Sequence, residues 1–191
     1  TKGYGSDNRA AKFAWFVMVG GGKALAGDKQ ASAVLRKALL EWAEAGALEK
    51  SEVSHDSYYA LKRFMTPLVV NYAIVAPEMT ESEREIVNRW MDKVIRPLDK
   101  KFDGDVDVNN HRYMADAVLM LWGSYIGDEG LYNIGMNGYK KALAAARPDG
   151  SLPLETRRGA RALWYLRHAL SSLTLEALVA EQNGDNLFSE S

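Results

Sequence analysis

The sequence predicts an all-α protein of about seven helices. Apolar residues recur at helical spacing along nearly the whole chain, and glycine, proline and capping signals bound the periodic runs. No alternating strand pattern bounded by hairpin turns occurs. The connections are short, which implies antiparallel helical neighbours. No strict repeat at a tetratricopeptide or ankyrin period is present.

The elements follow in order. A first helix spans about 9–19 and stops at Gly20-Gly21-Gly22. A second runs from Asp28 to Ala45, with Leu35, Leu39, Trp42 and Ala43 on one face and Gly46 as its stop. A third covers about 56–74 around an interior Pro67 and ends near Pro77. The fourth opens with the capping box Thr80 to Glu83 and ends or kinks at Arg96-Pro97. The fifth follows "DVNN" and carries Ala115, Val118, Leu119 and Trp122. The sixth runs from Gly130 to Ala146 and is closed by "RPDG", where Pro148 fixes φ and Gly150 frees it. The seventh, about 155–182, has a core stripe of Leu163, Leu166, Leu170, Leu173 and Ala177. The tail 184–191 is polar and expected to fray.

The chain has 191 residues, which suits a single domain over 1–191 with room for a sizeable core. A net charge of −1 provides no bulk field for nucleic acid or a membrane, so an acidic ligand needs a local basic patch. The absence of cysteine excludes disulfides and thiolate metal sites. No segment approaches the roughly 18 unbroken apolar residues of a membrane span. The opening "TKGYGSDNRA" lacks Met and reads like the middle of a protein, so removal of a leader is expected, with a periplasmic or secreted location.

Two stretches concentrate chemistry. "NNHRYM", residues 109–114, sets two amides, an imidazole, a guanidinium and a phenol beside an apolar run. One Asn suffices to cap the fifth helix, which leaves the second Asn and Tyr113 unexplained. In the seventh helix Arg161, Tyr165, His168 and Ser172 fall on one face, and Arg157 and Arg158 extend it by a turn. Charged stripes are ordinarily solvated surface, but a phenol and an imidazole set this one apart. His55, His111 and His168 stand far apart with no paired spacing, so no metal site is expected. "VGGGKAL" lacks the order of a phosphate loop. Lys62 and Arg63 of "LKRF" read as a surface patch offering a secondary anion contact.

"NNHRY", followed about fifty residues later by "DGSLPLETRRGARALWYLRHAL", resembles the mannuronate-type alginate lyases of polysaccharide lyase family 5. "LRKALLEWAEAGAL" adds to the likeness, and "TKGYGSD", with Tyr4, is similar to the family's lid segment at 1–8. The resemblance implies an (α/α) toroid, or an incomplete one, since family members are longer. It implies a polyuronate lyase acting without cofactor on an acidic polysaccharide such as alginate or glucuronan, as a monomer. The alternative is a helical protein that binds acidic glycans without cutting them. Asn110 and His111 match the residues that neutralise the uronate carboxylate, Arg161 the essential arginine, and Tyr113 the motif tyrosine. Arg112, Arg157, Arg158, Lys62, Arg63, Tyr4 and His55 complete the expected substrate contacts. The chain departs from the family at Met114, where Trp is usual, and at His168, which occupies the place of the catalytic tyrosine.

β-Elimination must remove the C5 proton of a uronate, and neutralising the adjacent carboxylate makes that proton more acidic. A base takes it and an acid protonates the leaving oxygen. Tyrosine, ordinarily near pKa 10, needs a neighbouring cation to act as base. An imidazole, ordinarily near 6.5, is already suited to neutral pH, and a cation beside it favours the neutral form. With His168 as base, Tyr165 or Tyr113 is the acid. Hydrolysis would need two inward carboxyls roughly 5–10 Å apart. Only Glu155 and Asp116 lie within the two motifs.

Overall fold

The computed structural model describes residues 9–51, 55–101 and 109–189, leaving aside the side chains of 55–59 and 101. Every α-helical and 3-10 segment among these residues follows in chain order, and no strand occurs among them. The α-helices are α1 (Arg9–Leu25), α2 (Lys29–Glu44), α3 (His55–Val75), α4 (Glu81–Ile95), α5 (Pro97–Lys101), α6 (Asn110–Ile126), α7 (Glu129–Ala145), α8 (Pro153–Thr156) and α9 (Ala162–Gln182). Seven of these are long, as the periodicity predicts; α5 and α8 are single turns. No helix among the described residues is long and apolar enough to cross a membrane. The chain divides into two compact units, Thr1–Pro97 and Leu98–Ser191.

In the first unit the capping signals act as predicted. The Asp28 side chain accepts from the Ala31 amide at 2.9 Å to open α2. Thr80 and Glu83 bond reciprocally to open α4. Leu35 and Leu39 are fully buried, and Trp42 stacks on Phe13 with centroids 3.6 Å apart. Trp90 donates from Nε1 to the Ala47 carbonyl at 2.6 Å, tying α4 to the turn after α2.

The triple glycine does not stop α1, which continues to Leu25. A Cβ on Gly21 would overlap the Asn71 side chain of α3, so the glycine permits close approach of two helices. Gly21→Ala is therefore expected to destabilise by about 1–3 kcal/mol, read as a lower urea midpoint.

In the second unit α6, α7 and α9 pack on one another around Tyr113, Met120, Tyr139, Ala142, Ala169, Leu173 and Ala177. The predicted seventh helix is not continuous: α8 ends at Thr156, a 3-10 turn covers Gly159–Arg161, and α9 begins at Ala162. Gly159 sits at φ 57°, in the left-handed region that favours glycine, and turns the chain there. The core stripe of α9 is also rotated. Leu173 and Ala177 of the expected stripe are buried, but Leu163 is 80% and Leu170 49% exposed, and Ala169, Ser172 and Glu176 face inward in their place. The buried face of α9 that packs on α6 is thus built largely from small residues, with Leu173 among them.

The tail, expected to fray, is anchored through residue 189. Leu187 is buried, Tyr139 donates to its carbonyl at 3.1 Å, and Tyr132 donates to Asp185 at 2.7 Å. Residues 190–191 and the lid-like 1–8 lie outside the described residues.

Candidate active site

Helix α6 opens at the "NNH" stretch. Asn109 is the N-cap, its side chain accepting from the His111 amide at 2.8 Å. The two asparagines thus divide their work. Asn110, the first residue of the helix, is 1% exposed and donates twice to Glu155 of α8. Its backbone N–H reaches Oε1 at 2.7 Å and its Nδ2 reaches Oε2 at 2.9 Å. Its Oδ1 is buried without a hydrogen-bond partner among the described residues. His111 is half-buried beside it.

Glu155 lies two residues before Arg157, so this pairing brings both polar motifs together in one unit. Arg157, Arg158 and Arg161 are exposed and have no carboxylate partner among the described residues. Arg161 is the N-cap of α9, where the positive end of the helix dipole disfavours a cation, and Arg157 and Arg158 lie in the turn between α8 and α9. The Arg158 guanidinium lies 4.5 Å over the Tyr165 ring. Trp164 meets Tyr165 and His168 edge-on, with centroids 4.9 and 4.4 Å away. Tyr165 and His168 are half-buried, and Ser172 at the foot of the stripe is buried. Beside the stripe, Leu163, Trp164, Leu166 and Leu170 line an apolar groove of about 800 Å³.

Tyr113 is buried, and its phenol is pushed up to about 12, by burial first and then by the charges of Glu155, Glu176 and Asp116. It stays protonated at neutral pH and is suited to donate a proton or a hydrogen bond.

Three expected contacts are placed differently. Arg112, expected to face the substrate, is held inside by Asp99 and Asp116, at 2.9 and 2.6 Å. The reason is local: Asp116 is one helical turn on, and buried carboxylates recruit the nearest guanidinium. Lys62 is fully buried and Arg63 half-buried, so "LKRF" is not a surface patch. Leu61, Phe64 and Met65 on the same turn are buried and carry Lys62 inward. Tyr4 lies outside the described residues, and of His55 only the backbone that opens α3 is described.

Sequence reasoning gave no positional role to Glu155, Asp116 or Glu176. All three are buried. Burial pushes the Asp116 carboxyl up to about 6 against the pull of Arg112. Burial, aided by the charge of Asp116, raises Glu176 well above the carboxylate range. A signal existed: Asp116 and Glu176 each interrupt an apolar helical run, and Glu155 is the one acid beside three arginines.

The sequence pattern of the alginate lyase family matches residues 65–191. A polysaccharide lyase of Stenotrophomonas maltophilia is 28% identical over 166 residues, covering 85% of this chain and 50% of that protein. An alginate lyase of Pseudomonas syringae pv. syringae is 29% identical over 163 residues, covering 76% of this chain and 41% of its own length. The chain spans about half the length of the curated relatives it matches. Among solved structures, alginate lyase A1-III of Sphingomonas species A1 superimposes with a TM-score of 0.84 at 25% identity, over 95% of this chain and 53% of that one. A tyrosine-to-phenylalanine variant of A1-III, complexed with tetrasaccharide, gives a TM-score of 0.83 at 24% identity over 97% and 56% of the two chains. The helical hairpins are thus of the (α/α) toroid class. The chain belongs to the alginate lyase family.

Proposed function

We propose that the protein is a polyuronate lyase that cleaves a 1,4-linked chain of the alginate or glucuronan type by β-elimination. The observation that carries this reading is the trio Arg157, Arg158 and Arg161. Three exposed cations stand without a carboxylate partner among the described residues, one of them at the unfavourable end of the α9 dipole, on a segment tied to the amide–imidazole start of α6. Such a cluster weakens the fold locally and is suited to hold an anion. The solved relative complexed with tetrasaccharide supports a glycan as that anion.

Each residue then has a task. Asn110, His111 and Arg161 offer donors and charge to the uronate carboxylate, which stabilises the negative charge that develops when the C5 proton leaves. His168 takes the proton. The C5–H electron pair forms the C4=C5 double bond as the C4–O bond breaks. The departing oxygen takes a proton from Tyr165 or Tyr113. Arg157 and Arg158 bind carboxylates of neighbouring sugars. No cofactor or metal enters the scheme. A polymeric substrate outside the cytoplasm puts the activity in the periplasm or beyond the cell, and we assign a monomer with no nucleic-acid or membrane partner.

The test is direct. Incubation with polymannuronate, polyguluronate and glucuronan is expected to raise the ultraviolet absorbance of unsaturated uronate ends on at least one of them. Salt-sensitive retention on immobilised alginate with no absorbance change on any polymer would reject cleavage and leave a glycan-binding protein.

A further inference from the structure

We infer that Glu155 is a positioning residue for this elimination: its carboxylate grips Asn110 at both backbone and side chain and joins α6 to the arginine-bearing turn. The inference rests on the lyase reading above.

Capping alone does not account for the geometry. Asn109 already satisfies the His111 amide, and one Glu155 oxygen satisfies the Asn110 backbone N–H. The other oxygen is free to turn elsewhere, yet it takes the Asn110 side chain at 2.9 Å. A carboxylate only accepts, so it selects which end of the amide it meets. Nδ2 faces Glu155, and Oδ1 with the second Nδ2 hydrogen is directed away from it. An unanchored asparagine amide turns over with little cost; this one has a single orientation. Glu155 is 0% exposed, so no water competes for either bond.

The second effect is electrostatic. Asp116 and Glu176 also act on Tyr113, but after burial the charge of Glu155 is the largest influence holding that phenol protonated. The same carboxylate therefore fixes a donor to the uronate and keeps the Tyr113 phenol protonated into the alkaline range. Misplacing a catalytic group by about 1 Å can slow a reaction 100-fold, so a tether of this kind is expected to act on turnover more than on binding.

The experiment is a double-mutant cycle on whichever uronan the wild type cleaves. Glu155→Gln is expected to lower kcat by about 100-fold while KM changes less than about threefold. Its alkaline pH limb is expected to move to lower pH as the Tyr113 phenol is released. At neutral pH, where the Tyr113 phenol is protonated with or without Glu155, Glu155→Gln combined with Asn110→Ala is expected to be no slower than Asn110→Ala alone, because there both act through one amide. A kcat within about threefold of wild type, or losses that multiply in the double variant, would overturn the inference. If Glu155→Gln fails to fold, Glu155→Asp keeps the charge, shortens the reach and enters the same cycle. A wild type that forms no product sinks the lyase reading, not the tether. Hydrogen exchange at the Asn110 amide then decides: about tenfold or greater acceleration in the variant is expected, and unchanged exchange overturns it.

Discussion

Arg112→Met is expected to destabilise the protein by about 3–5 kcal/mol at neutral pH, the usual consequence of stranding a buried charge. Arg112 bridges Asp99 and Asp116, and Asp116 is 1% exposed. Glu176, fully buried, adds a second carboxyl whose two oxygens have no hydrogen-bond partner among the described residues. The guanidinium is thus the cation that makes an acidic interior tolerable. Lys141, the other cation acting on Asp116, has a smaller influence than Arg112.

The sign of the pH dependence follows. The Asp116 carboxyl rises from 3.8 to about 6 on folding, so the folded state holds its proton more tightly than the unfolded chain. The stability this contributes is fully present below the unfolded value and is lost as pH rises through about 6. Removing Arg112 raises the carboxyl further and extends that loss toward higher pH. Urea melts at about pH 5 and about pH 8 should therefore show a small penalty for Arg112→Met at the lower pH and a large one at the higher. Equal penalties at both would refute this account.

The second large effect concerns activity. Arg161→Ala is expected to lower kcat/KM by about 100- to 1000-fold without destabilising the fold. Arg161 has no carboxylate partner among the described residues and stands at the positive end of α9, so its removal should leave Tm unchanged or raise stability by about 0.3–1 kcal/mol. Arg157→Ala, farther from the stripe, should cost less activity and weaken the salt dependence of KM. Thermal melts and steady-state kinetics on the same preparations separate the two roles. A parallel fall in Tm and activity for Arg161→Ala would mark it as structural.

The long helices and their caps were legible because the information is local. Thr80 and Glu83 lie three residues apart, and Asp28 meets an amide three residues on. The triple glycine misled because Gly21 serves a close contact with Asn71, fifty residues away in sequence. The α9 core was misjudged for a related reason. Leucines mark a helix as amphipathic, but of the expected stripe Leu173 and Ala177 are buried and Leu163 and Leu170 are not, and alanine, serine and a buried glutamate fill the rest of the inner face. At the site, residue types were legible in their motifs and pairings were not. Arg112 reads as a ligand contact until Asp99 and Asp116 are seen around it. Glu155 reads as one acid in a basic run until its distance to Asn110 is known.

The sequence separation of 45 between Asn110 and Glu155 also sets an order of events in folding. Helices α6 and α7 are joined by two residues and can pair as soon as both exist. The Asn110–Glu155 bond requires the closing of a long loop, whose entropy must be met before any contact rewards it. Early refolding species are then helical but lack the cradle. Recovery of ellipticity should precede recovery of catalysis, and nascent chains released before residue 153 should be structured yet inert.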